Sequence, residues 1–154
     1  MPNAPSLLQI AALTLASSLL APICPGQTAD ETKREADQFS QRLTAITRSP
    51  ASAERVASVA TLLEKMDVEF KLIPFKSEGK NGKSGKNLIV DLGDNSKPQI
   101  LIGAHFDQVN VGNGAVDNAS GCGLMIELIE RFGQQRLSNH HLRCLLYTSD
   151  AADE

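Results

Sequence analysis

The sequence predicts an α/β sandwich built on a mixed sheet, and three observations carry that prediction. Two helical patterns are followed by two short strand patterns. A third strand, residues 99–104, is almost wholly apolar. It then runs through a polar loop into an amphipathic helix. Strands followed by a strand, loop and helix unit indicate helices packed on a sheet. The 154 residues suit one domain, the net charge of −3 is mild, and 42% hydrophobic residues are enough for a packed core. No basic patch with interleaved aromatics points to nucleic acid. Lys80, Lys83 and Lys86 are spread among Gly, Ser and Asn, as in a solvated loop.

Residues 7–21, LLQIAALTLASSLLA, form an apolar run bounded by Pro22. That length fits the apolar region of a secretory signal better than a membrane span, which needs roughly 20 apolar residues. Residues 1–29 are therefore expected to be a signal peptide and leader, removed after Ala21 or Ala29, with the mature chain exported to a periplasmic or extracellular space. The alternatives are a lipid anchor at Cys24, against which Ala21-Pro22-Ile23 argues, and an uncleaved amino-terminal anchor. No stable membrane association is expected after cleavage.

From Asp30 to Thr47 the pattern is helical, with Phe39, Leu43 and Ile46 on one face. Ser49-Pro50 breaks it. A second helix is expected over residues 53–66, with Val56, Val59, Ala60, Leu63 and Met66 inward and Ser49 or Ser52 as cap. Residues 68–75 alternate as a half-wet strand, with Val68, Phe70 and Leu72 on one side and Pro74 marking an edge or an end. Residues 87–92 read as the next strand. Residues 99–104, apolar throughout, read as a central strand buried on both faces. The last helix starts near Ala119 and ends at Gly133, with Cys122, Met125, Ile126, Ile129 and Phe132 inward and Glu127 and Glu130 on a solvated face. Cys122 reads as a packed small residue, and no disulfide framework follows from Cys24, Cys122 and Cys144. His140 and His141 read as a surface connection before a strand, because adjacent residues on extended chain point oppositely.

The chemistry concentrates where the third strand ends. His105 and Asp107 follow the apolar run directly, and Asp117 stands at the helix entrance beyond a loop containing Gly112 and Gly114. Strand end and helix start can converge at the carboxyl edge of a sheet. A metal explains this set best: an imidazole nitrogen and a carboxylate as ligands, with a second carboxylate holding the other ring nitrogen. A lone His-x-Asp is more often a surface hydrogen bond. Its place between a buried-type strand and Asp-Asn-x-Ser-Gly favours a site.

Gly103-Ala104-His105-Phe106-Asp107 and Gly114-Ala115-Val116-Asp117-Asn118-Ala119-Ser120-Gly121 resemble the first two metal-binding blocks of the di-zinc aminopeptidases, metallopeptidase family twenty-eight. The resemblance implies a three-layer sandwich with a mixed central sheet, the zinc-exopeptidase fold, present here in truncated form over residues 30–143. It implies that His105 binds one zinc, that Asp117 bridges two, and that Asp107 orients His105. It implies a peptide substrate shortened from its amino terminus by a metal-activated water. Family-twenty exopeptidases also place a His-x-Asp after a strand, with a longer gap. Glutaminyl cyclases share the fold with one zinc and usually lack the Asn-x-Ser-Gly. A non-catalytic binding ectodomain of this fold is the third reading.

The last stretch, residues 144–154, CLLYTSDAADE, matches the translation of a transposon-end sequencing adapter and is expected not to be native. In the resembling family the strand beginning near His141 leads to a pair of adjacent glutamates, one the general base and one a ligand, with an Asp and a His later still. None of these lies in the 154 residues, so the chain is expected to be an amino-terminal fragment, inactive by itself.

Overall fold

The computed structural model describes residues 28–76, 84–108 and 112–148. The chain divides into two compact units, Met1–Arg34 and Glu35–Glu154. Most of the expected leader, with Lys80 and Lys83, lies outside the described residues. Of the first unit, the described part opens helix α1, Ala29–Thr47. Thr28 Oγ1 accepts the Glu31 amide at 3.2 Å, and Glu31 Oε2 accepts the Thr28 amide at 2.8 Å. This reciprocal box satisfies two amides at the helix start, and the Thr28 amide holds the Glu31 carboxyl below its ordinary range.

In the second unit, α1 turns Phe39, Leu43 and Ile46 inward, as its spacing predicts, and Ile46 is fully buried. Arg42 lies on the same face, where it bonds both Glu127 and Glu130. Those two glutamates are therefore ion-paired across a helix contact instead of lining a free solvated face. Helix α2, Ser52–Lys65, carries Glu54 in its first turn and Lys65 in its last, complementing the helix dipole. Ser49 Oγ accepts the Ala51 amide at 3.1 Å, and neither expected serine caps α2. Val56, Val59 and Leu63 form its buried stripe.

Four strands follow: β1, Lys71–Lys76; β2, Ser84–Leu92; β3, Gln99–His105; and β4, His141–Tyr147. Helix α3, Ser120–Gln134, connects β3 to β4. The sheet order is β1-β2-β4-β3, with β1/β2 and β2/β4 antiparallel and β3/β4 parallel. This is the mixed sheet and α/β class expected, and β3-α3-β4 is the crossover that a parallel pair requires. Val68 and Phe70 precede β1 and pack half-buried against the core. Pro74 is tolerated because β1 is an edge strand, and Lys86 is exposed on β2.

Two strand expectations change. β4, later in sequence, inserts between β2 and β3, so β4 is central and β3 lies at the sheet edge. Leu101 on β3 is 57% exposed. His141 begins β4 almost fully buried, with Nε2 3.2 Å from Asp91 Oδ1, instead of lying in a surface loop. His140 is exposed as expected. Asp91 accepts hydrogen bonds from Arg143 Nε at 2.7 Å and from Lys71 Nζ at 3.3 Å.

One core joins the three helices to one face of the sheet. Leu88, Val90 and Leu92 of β2 and Leu142, Cys144 and Leu146 of β4 meet Cys122, Met125, Ile126 and Ile129 of α3. Helices α1 and α3 approach closely: a Cβ on Gly123 would sit 3.0 Å from the Phe39 ring. Residues 144–147 complete β4, and residues 149–154 lie outside the described residues.

Candidate metal centre

The site forms where β3 ends. His105 is the last strand residue, and the Phe106 amide still donates to Tyr147 O at 2.9 Å, so the ladder fixes the backbone under the imidazole. Beyond it the chain reaches Gly112 and Gly114 at φ +78° and +61°, a left-handed backbone that favours glycine. At Gly114 space is also short, since a Cβ would meet Gln108 Cβ at 2.7 Å.

Asp117 sits in one irregular turn, Ala115–Ala119, where it (φ −117°, ψ 95°) and Asn118 (φ −134°, ψ 37°) leave helical geometry. The Asp117–Asn118 peptide is cis. Asn118 Oδ1 accepts the Gly121 amide at 3.2 Å, satisfying one of the free donors at the start of α3. A Cβ on Gly121 would lie 2.3 Å from that oxygen. The Asp-Asn-Ala-Ser-Gly run thus has a local explanation: Asp117 faces the site, Asn118 caps the helix, and Gly121 leaves room for the cap.

The three predicted residues come together. His105 Nε2 is 3.0 Å from Asp117 Oδ1, and His105 Nδ1 is 3.3 Å from Asp107 Oδ1. Exposure grades outward, from 11% for the Asp107 side chain through 26% for His105 to 74% for Asp117. The imidazole therefore stands between a buried carboxylate and an open one. The Asp107 contact is at ion-pair distance but out of line for a hydrogen bond, and Nδ1 is buried without a hydrogen-bond partner among the described residues.

This donor set fits zinc in part. Zinc held tetrahedrally at about 2.0–2.1 Å from nitrogen and oxygen sets its donors about 3.3 Å apart, close to the 3.0 Å between His105 Nε2 and Asp117 Oδ1. A carboxylate on the far ring nitrogen is the usual support for a metal-bound histidine. Among the described residues, however, no group of three or more His, Cys, Asp or Glu side chains converges as a complete metal site. Cys122 adds no ligand. Its thiol donates to His105 O at 3.3 Å, and burial pushes its pKa up to about 12, so it stays protonated.

Sequence reasoning missed Arg55. Fully buried on α2, it donates from Nε to Ser49 O at 2.8 Å, from Nη1 to Phe106 O at 3.1 Å, and from Nη2 to Gln108 Oε1 and Asn113 O. Burial lowers its pKa, opposed by the neighbouring Cys122 sulfur and the Asp107 carboxylate. The sequence held one signal, an arginine four residues before Val59 and so in register with the buried stripe.

The model of Peptidase family M28 matches residues 87–150, which include β3, the site and β4. No curated protein sequence matches the chain. Among solved structures, glutaminyl cyclase from Porphyromonas gingivalis is similar at 18% identity and a TM-score of 0.60, over 75% of this chain and 44% of that one. A leucine aminopeptidase precursor from Bacteroides thetaiotaomicron is similar at 20% identity and a TM-score of 0.57, over 74% and 45%. A putative zinc-dependent exopeptidase from Bacteroides vulgatus gives 20% identity and a TM-score of 0.58, over 75% and 47%. The chain spans less than half the length of each of these three structures. It is thereby recognised, over residues 87–150, as a match to Peptidase family M28, on a fold it shares with zinc-dependent exopeptidases and glutaminyl cyclases.

Proposed function

We propose that this chain is the amino-terminal part of a zinc-dependent aminopeptidase that removes amino-terminal residues from peptides, exported by its leader. The observation that carries the reading is the convergence of His105 Nε2 and Asp117 Oδ1 at 3.0 Å, backed by Asp107 on the far side of the ring. His105 would supply a neutral imidazole nitrogen and Asp117 a carboxylate able to bridge two cations. Asp107, 3.3 Å from Nδ1, would favour the proton on that nitrogen by its negative charge, leaving Nε2 free to ligate. Bound zinc lowers the pKa of water and polarises a carbonyl. Asp117, the most exposed of the three, opens the site toward substrate, whereas buried Asp107 serves orientation. Among the described residues the site brings together two candidate ligands and no general base, so the chain is proposed to be inactive by itself. Two zinc ions are proposed for the longer protein.

A second reading is supported by the solved structures, several of which are glutaminyl cyclases, acyltransferases on this fold. Against it stands the run Asn118-Ala119-Ser120-Gly121, in which Asn118 Oδ1 accepts the Gly121 amide and which the corresponding block of glutaminyl cyclases usually lacks. One experiment separates them. The metal-replete longer protein is assayed for hydrolysis of aminoacyl substrates and for ammonia release from amino-terminal Gln. Hydrolysis lost in His105→Ala supports the aminopeptidase, and ammonia release without hydrolysis supports the cyclase. Neither activity in a metal-replete preparation would leave a binding ectodomain.

A further inference from the structure

We propose that Arg55 is the positioning residue of this centre: its guanidinium ties together the two chain segments that carry His105 and Asp117. The geometry makes the argument. The acceptors of Arg55 come from three places: Ser49 O ahead of α2, Phe106 O and Gln108 Oε1 just after His105, and Asn113 O just before the turn that holds Asp117. A planar fork with five donors can join such scattered acceptors, and a lysine ammonium cannot reach all of them at once. The backbone is fitted around the side chain. Gly114 passes so close that a Cβ there would stand 3.1 Å from Arg55 Nη1. Asn113 uses both of its oxygens in this arrangement, its carbonyl on Arg55 and its Oδ1 accepting the Ala115 amide at 3.1 Å. Asp107, two residues from His105, is a carboxylate whose charge favours the buried guanidinium electrostatically, against the cost of its burial. Arg55 thus anchors both segments to the first turn of α2, and His105 and Asp117 inherit their separation from that anchor. It touches neither of them, so its part is to position and not to react.

Only the metal arm of the test rests on the aminopeptidase reading. The amides of Phe106, Ala115 and Ala119 are each hydrogen-bonded here, at 2.9, 3.1 and 3.0 Å. Their hydrogen exchange is measured in the full chain, with the amides of Ile126 and Ile129 in α3 as internal reference. Arg55→Gln is expected to speed exchange at the three site amides at least tenfold relative to the reference, and Arg55→Lys is expected not to restore it. Gln108→Ala, which removes one acceptor and spares the buried charge, is expected to give a smaller increase at the same amides. It decides the matter if Arg55→Gln does not fold. Unchanged exchange in these variants, or an equal increase in site and reference amides, would overturn the proposal. In parallel, the zinc affinity of the longer protein by calorimetry is expected to fall at least tenfold in Arg55→Gln and not to recover in Arg55→Lys; an affinity equal to wild type would overturn the link to His105 and Asp117. A metal-replete longer protein that takes up no zinc refutes the metal reading, while the exchange data still judge Arg55.

Discussion

Gly121→Ala tests how the turn after Asp117 is held, because two effects of similar size oppose each other there. Alanine in place of glycine in a helix gains up to about 1 kcal/mol. The new Cβ would lie 2.3 Å from Asn118 Oδ1 and 2.8 Å from both Asn118 Cγ and Nδ2, so the Asn118 side chain has to leave. With it goes the bond to the Gly121 amide, and losing such a cap costs about 1 kcal/mol. The substitution alone is therefore expected to be nearly neutral for folding. Asn118→Ala alone removes the cap and should cost about 1 kcal/mol. In that background nothing blocks the Cβ, and Gly121→Ala should then stabilise by up to about 1 kcal/mol. Urea unfolding of the four proteins closes the cycle, with an expected coupling of about 1 kcal/mol. If Gly121→Ala stabilised both backgrounds equally, the steric and capping argument would be wrong.

Three further outcomes are expected. Arg42→Met strands the Glu127 and Glu130 carboxylates in a half-buried helix contact and should cost about 1–3 kcal/mol in urea unfolding; a loss below that range would show the ion pairs to be dispensable. Ile126→Ala, at a fully buried position, should cost about 2–5 kcal/mol, whereas Leu101→Lys on the exposed face of β3 should change stability by no more than about 0.5 kcal/mol. The reverse order would place β3 inside the sheet. Asp91 is held below its ordinary pKa of 3.8, chiefly by the Arg143 hydrogen bond. A lowered carboxyl pKa gives stability that is present above the unfolded value and lost as pH falls through the folded one. Asp91→Asn should therefore lower Tm near neutrality and flatten the acid side of the Tm-against-pH curve; parallel curves for both proteins would refute the pairing.

The convergence of the candidate residues was legible in sequence because its signals are local. His105 and Asp107 end an apolar strand, Gly112 and Gly114 take the positive φ that a tight turn needs, and Asp117 opens a helix. Helix faces were legible for the same reason, since a 3.6-residue period needs no knowledge of neighbours. What the sequence left out depends on pairing between distant segments. β3 read as central because it is apolar, but strand order is decided by where β4 inserts, and the same insertion buries His141 against Asp91. Glu127 and Glu130 read as solvated because their partner, Arg42, is remote in sequence and lies on another helix. Arg55 escaped because a charged residue beside an apolar stripe reads as its solvent-facing edge until the carbonyls of Phe106 and Asn113 are seen above it.

The central claim is that His105 and Asp117 form the first half of a zinc centre. The chain holds three histidines, His105, His140 and His141, so zinc titration followed by imidazole nitrogen NMR tests it directly. The account predicts that zinc shifts the His105 Nε2 resonance, leaves His140 and His141 unmoved, and loses this effect in Asp117→Ala. A shift confined to His140 or His141, or a His105 response unchanged by Asp117→Ala, would contradict it.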